Sequence, residues 1–98
     1  MKLWLDDMRP MPKDYDVHAT CAHVAIELLG SGAFTCISFD HDLGEEEDGY
    51  TVAKWCEEKA ESGELKVLTW SVHSANPVGR GRIEAAMRNA DKYWSVVR

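Results

Sequence analysis

Residues 33–44 read AFTCISFDHDLG, and the parsing of this stretch decides the fold. Residues 33–39 are rich in β-branched and aromatic side chains, which predicts a strand that runs directly into Asp40. The acids Glu45 to Asp48 then lead to YTVAKWCEEKA, where Val52, Trp55, Cys56 and Ala60 recur at helical spacing. Asp48 is placed to cap this helix and Gly63 to end it. A strand with an acidic tip, a loop and a helix form the local unit.

The same unit recurs on both sides. KLWL at residues 2–5 is a short apolar run that stops at Asp6-Asp7, a strand with two carboxylates at its C-terminal tip. MRPMPKDYD carries two prolines without backbone donors and reads as loop. From His18 to Leu29, Ala22, Ile26 and Leu29 form an apolar helical stripe with Cys21, Ala25 and Leu28 beside it, closed by Gly30 and Gly32. LKVLTW at 65–70 predicts a third strand, running into SVHSANP. There Asn76-Pro77 marks a helix start, with Ile83, Met87 and Ala90 on its buried face. YWSVV at 93–97 predicts a last strand.

The expected order is β-α-β-α-β-α-β, which calls for parallel strands joined by helical crossovers: an α/β fold with a small parallel four-stranded sheet and three helices. Order 1-2-3-4 would put all helices on one face and leave the other to be covered, for instance by a second copy in a homodimer. Order 2-1-3-4 would give both faces a helix.

Composition narrows the function. The 98 residues fit one domain, 1–98, with a single core. Eleven Lys and Arg against 17 Asp and Glu give a net charge of -6, which argues against a broad nucleic-acid surface but not against a compact anion held through a metal. Cys21, Cys36 and Cys56 lack C-x-x-C spacing and lie in apolar patterns, so reduced, buried thiols are expected. No signal-like leader and no apolar run of spanning length occurs, so no membrane partner and a cytoplasmic location are expected.

Ligand sites in open parallel sheets lie at the C-terminal ends of the strands. The three tips here carry Asp6-Asp7, Asp40-His41-Asp42 and His73-Ser74-Ala75-Asn76. Clustered aspartates repel one another unless a cation lies among them. Oxygen ligands suit Mg²⁺ or Mn²⁺ better than zinc, and the expected ligands are Asp6, Asp7 and Asp40, with Asp42 or the Leu43 carbonyl assisting. Glu45 to Asp48 read as a solvated lead into the next helix.

The third tip suits an anion. Ser74, Asn76 and the helix N-terminus would receive a phosphate, with Arg80 or Arg82 adding charge. His73 is the favoured general acid or base and His41 the second choice, since alternation turns His41 away from Asp40 and Asp42. His18 and His23 look uninvolved, and the tryptophans are expected in the core, with Trp70 near enough to the third tip to wall a base or sugar.

LDD after the first strand, Asp40 at a strand end, DGY before the next helix and a polar residue after the third strand resemble the receiver domain of response regulators. The resemblance implies an acidic pair that holds Mg²⁺ and a central Asp that accepts a phosphoryl group. Two features depart from a full receiver: the interval from Asp7 to Asp40 is short for its intervening elements, and the lysine after the last strand is absent. A closer resemblance spans nearly the whole chain. LWLDDMRPMP, SFDHDLG, DGYTVAKW and HSANPVGRGRI are similar to the cyclic-phosphate processing receiver-like domains, a reduced receiver (flavodoxin-like) family.

That resemblance implies a metal-dependent phosphoesterase acting on cyclic-phosphate nucleotides or RNA ends, with a role in RNA repair. It places Asp6, Asp7, Asp40, Asp42, His41, His73, Ser74 and Asn76 in matching motifs. Asp40 would attack as nucleophile or ligate metal while water attacks. Two alternatives stand beside it: a binder that captures a cyclic or phosphorylated nucleotide uncleaved, and a degenerate receiver phosphorylated on Asp40.

Overall fold

A computed structural model describes residues 1–96. The element order is β1 (Lys2–Leu5), β2 (Val17–Ala19), α1 (Ala22–Gly30), β3 (Cys36–Phe39), α2 (Gly49–Ser62), β4 (Thr69–Val72) and α3 (Pro77–Trp94). The four strands form one all-parallel sheet in the order β2-β1-β3-β4. The α/β class and the three helices are as expected, and the three main anticipated strands lie side by side in chain order. The fourth strand is not the expected one.

Where β2 lies, the sequence pattern predicts loop and helix start. Its three residues are too short to show a period, and it is defined by pairing: Leu5 lies opposite Ala19, and the Asp6 N–H donates to the Ala19 carbonyl at 3.1 Å. It follows β1 through the proline-containing loop, without a crossover helix. His18 and Ala19 therefore belong to the sheet, and α1 begins at Ala22.

The predicted strand at 93–97 is replaced over its first residues by helix. Tyr93 and Trp94 complete α3, where Trp94 continues the helical spacing of Met87 and Ala90 and its indole donates to the Leu65 carbonyl at 2.8 Å. Packing on that face outweighs the β propensity of an aromatic pair. Val97 and Arg98 lie outside the described residues. The strand predicted at 65–70 starts later, because the Leu65 N–H closes α2 by donating to Lys59 O, and Leu65 and Leu68 enter the core ahead of the ladder.

Helix boundaries follow local chemistry. The Asp48 carboxylate accepts the Thr51 N–H, Asn76 Oδ1 accepts the Gly79 N–H, and Gly63 ends α2 in the left-handed region at φ 79°. One sheet face carries Leu3, Leu5, Ile37, Phe39 and Val72 into a core shared with Ala22, Ala25, Leu29, Val52, Cys56, Ile83 and Met87. The opposite face presents Trp4, Ser38 and Ser71, and Tyr15 of the β1–β2 loop packs edge-on against Trp4 with ring centroids 5.2 Å apart. Of the three cysteines only Cys56 is fully buried, and Cys21 and Cys36 are half-buried. Trp55, Trp70 and Trp94 pack against the core, and Trp70 donates to Asp91 without lining the cleft described below.

Candidate metal and phosphate site

The tips of β1, β3 and β4 converge on a cleft of about 380 Å³ lined by Asp6, Asp7, Met8, Arg9, Asp40, Asp42, Gly44, Ser74 and Ala75. Asp6, Asp7 and Asp40 each offer a carboxylate oxygen, and these oxygens lie within 4.8 Å of one another.

Asp6 is fully buried. Its Oδ1 accepts the backbone N–H groups of Met8 and Arg9, both at 2.8 Å, and its Oδ2 lies 2.9 Å from His73 Nε2. Burial alone would raise its pKa, but the Arg9 and Met8 N–H groups and His73 outweigh it and hold Asp6 below the usual carboxylate range. Asp40 goes the other way: burial and then the nearby Asp6 charge push it up. The two neighbouring carboxylates are thus driven apart in pKa. Gly44, at φ 69°, keeps the turn beside Asp7 open, since a Cβ there would lie 3.0 Å from Asp7 Oδ2.

Asp42 lines the cleft but stands apart from this group of three. Its Oδ1 pairs with His41 Nδ1 at 3.0 Å, and its Oδ2 accepts from Asn76 Nδ2 at 3.4 Å. Glu45 to Glu47 are exposed, and Asp48 serves as the α2 cap.

Of the two histidines expected as proton donors, His73 is engaged at both ring nitrogens and His41 at Nδ1. The His73 ring stacks on Trp4, with centroids 3.8 Å apart and planes 6° from parallel, and both nitrogens are engaged, Nδ1 by Ser38 Oγ at 2.7 Å and Nε2 by Asp6. Burial pushes its pKa below the ordinary imidazole value despite the Asp6 charge. His41 packs under α3 where Gly79 leaves room for its ring, and its Nε2 lies 3.1 Å from Asp48 Oδ2 without hydrogen-bond alignment. Neither ring lines the cleft.

Of the residues expected to bind phosphate, Ser74 lines the cleft, and its Oγ accepts the Asn76 N–H at 3.1 Å. Asn76 is occupied in capping α3 and holding Asp42. Arg80 pairs with Glu84 at 3.6 Å, and Arg82 lies over the Tyr50 ring at 4.2 Å. Among the described residues the cation lining the cleft is Arg9, in the stretch whose prolines predict only a loop. Its Nη1 donates to the His73 carbonyl at 2.8 Å and lies 3.7 Å from Asp6 Oδ2. Its place directly after the acidic pair was the available signal. His18, read as uninvolved, places Nε2 2.7 Å from the Asp6 carbonyl and ties β2 to the β1 tip.

A parallel sheet of this order with acidic residues at the tips of β1 and β3 defines a receiver-like domain. The profile of the Cyclic-phosphate processing Receiver domain family matches residues 1–89, and the chain belongs to that family. It is thus a receiver-like domain associated with cyclic-phosphate processing. No curated protein and no solved structure matches the chain. No helix among the described residues is long and apolar enough to cross a membrane.

Proposed function

We propose that this domain is a divalent-cation-dependent phosphoesterase that opens a cyclic phosphate on a nucleotide or at an RNA end. The observation that supports the reading is the convergence of Asp6, Asp7 and Asp40 beside Arg9 in one cleft. Three carboxylate oxygens at this spacing suit Mg²⁺ or Mn²⁺, and a cation there would offset the burial and the Asp6 repulsion that raise the Asp40 pKa. When bound, the cation supplies Lewis-acid polarisation of a phosphoryl oxygen.

The protein's own groups hold the phosphate. Arg9 anchors one nitrogen on the His73 carbonyl and keeps further guanidinium donors for a non-bridging oxygen. Ser74 Oγ accepts from the Asn76 N–H, which leaves its hydroxyl proton to donate to the same ligand, and the N-terminal end of α3 favours negative charge nearby. In the hydrolytic step a P–O bond forms to a water oxygen and the ring P–O bond breaks. The water proton ends on the released sugar oxygen.

One observation favours a second reading, capture of a cyclic or phosphorylated nucleotide without cleavage: among the described residues no imidazole lines the cleft to protonate a leaving group. Incubation with a panel of 2′,3′-cyclic nucleotides and Mn²⁺ separates the two. Turnover by wild type and none by Asp40→Asn supports the phosphoesterase. Tight binding with the ligand recovered intact supports the binder, and neither turnover nor binding across the panel sinks both.

A further inference from the structure

The acidic cleft is joined to the open sheet face by a chain of polar side chains that the proposed reaction does not use. Ser71 Oγ donates to Ser38 Oγ at 3.1 Å, Ser38 Oγ lies 2.7 Å from His73 Nδ1, and His73 Nε2 lies 2.9 Å from Asp6 Oδ2. Ser71 is exposed, Ser38 is buried in the middle of β3, and Asp6 is fully buried. A serine, a histidine and an aspartate in hydrogen-bond series suggest a hydrolase triad, but Ser38 is 2% exposed and has no approach for a substrate.

The donor directions are determined by elimination. Asp6 Oδ1 already accepts two backbone N–H groups, and an ionised carboxylate only accepts, so His73 Nε2 carries the proton toward Oδ2. In the neutral ring Nδ1 is then an acceptor, and Ser38 donates to it while receiving the Ser71 hydroxyl. The chain runs one way, from Ser71 through Ser38 and His73 to Asp6, and Trp4 holds the ring plane by stacking.

We propose that Ser38 is a positioning residue for the cation site: by donating to Nδ1 it holds the His73 ring in place, and through that ring it fixes the orientation of the Asp6 carboxylate toward Asp7 and Asp40. Hydrogen bonds behind a ligand tune metal affinity in this way. The inference rests on the cation-binding part of the proposed function, but half of its test does not.

That half is the histidine ¹H–¹⁵N spectrum of the metal-free protein at pH 8, which reports the tautomer directly. Wild type is expected to show His73 wholly as Nε2–H with its Nδ1 resonance shifted by the Ser38 hydrogen bond, and Ser38→Ala to keep that tautomer and lose the shift. An Nδ1–H or averaged ring in wild type, or no change in Ser38→Ala, overturns the proposal. The other half is calorimetric titration with Mn²⁺, in which Ser38→Ala is expected to bind about tenfold more weakly than wild type while melting cooperatively. Ser71→Ala, exposed and safe for folding, is expected to lose less. Affinity unchanged in Ser38→Ala also overturns the proposal. Failure of wild type itself to bind Mn²⁺ removes the cation reading of the cleft and with it the positioning role, while the spectrum still decides the direction of the chain.

Discussion

Gly49 opens α2 directly against the backbone of Asp40: its N–H donates to the His41 carbonyl at 2.8 Å, and a Cβ at this position would overlap the Asp40 carbonyl oxygen. The helix start and the site aspartate share one close backbone contact. Gly49→Ala is therefore expected to destabilise the domain by about 1–3 kcal/mol, the usual cost of overpacking. A lower urea midpoint together with weaker Mn²⁺ binding would bear this out. A midpoint equal to wild type would show that the contact can relax without loss.

Asp40 is held in the folded state with its ionised form disfavoured, first by burial and then by the Asp6 charge. A folded pKa above the unfolded value means that ionisation opposes folding at every pH above the ordinary Asp range, neutral pH included. Asp40→Asn removes that charge and keeps an oxygen to accept the His41 N–H. In EDTA the variant should be more stable than wild type by about 1 kcal/mol, within the range of ordinary stabilising substitutions. Added Mn²⁺ should raise the melting temperature of wild type and not that of the variant. Thermal melts with and without the ion check both statements.

Among the described residues Arg9 is the cation at the cleft, whereas Arg80 and Arg82 are engaged with Glu84 and Tyr50. Arg9→Ala is expected to lower kcat/KM for a cyclic nucleotide, or its affinity if the ligand is only bound, by about 10- to 100-fold, the value of a charged hydrogen bond. Arg9→Lys should recover only part of this, because lysine lacks the planar fork. Arg80→Ala should stay near wild type. Equal losses at Arg9 and Arg80 would point to a diffuse field in place of a specific contact.

Cys56 lies in the core between α2 and the sheet, where burial pushes its thiol from 9.0 to about 12. The folded value is raised, so the stabilising preference for the neutral thiol is complete below pH 9 and is lost as pH rises from there through about 12. By about pH 10.5 the loss from this one group is about 2 kcal/mol. Urea midpoints at pH 8 and pH 10.5 should fall more steeply for wild type than for Cys56→Ala. The half-buried Cys21 and Cys36 should be alkylated under native conditions well before Cys56.

What the sequence determined by itself was local. Asp48 and Asn76 cap helices through bonds three residues long, Gly63 ends α2, and the apolar runs ending at Asp6 and Asp40 place carboxylates at strand tips. Alternating strands and helices sufficed for a parallel sheet, and the motif set led to the family. Tertiary structure decided the rest, because the deciding contacts join distant residues. β2 exists only through its pairing with β1, and the last turns of α3 through Trp94 reaching Leu65. The His73 ring is held by hydrogen bonds to Ser38 and Asp6, 35 and 67 positions away. Asp42, next but one to Asp40, is drawn off to His41 and Asn76, leaving Asp6, Asp7 and Asp40 together. Residue spacing sets which face of an element a side chain can leave, but the direction it takes at a strand tip is set by the partner waiting there.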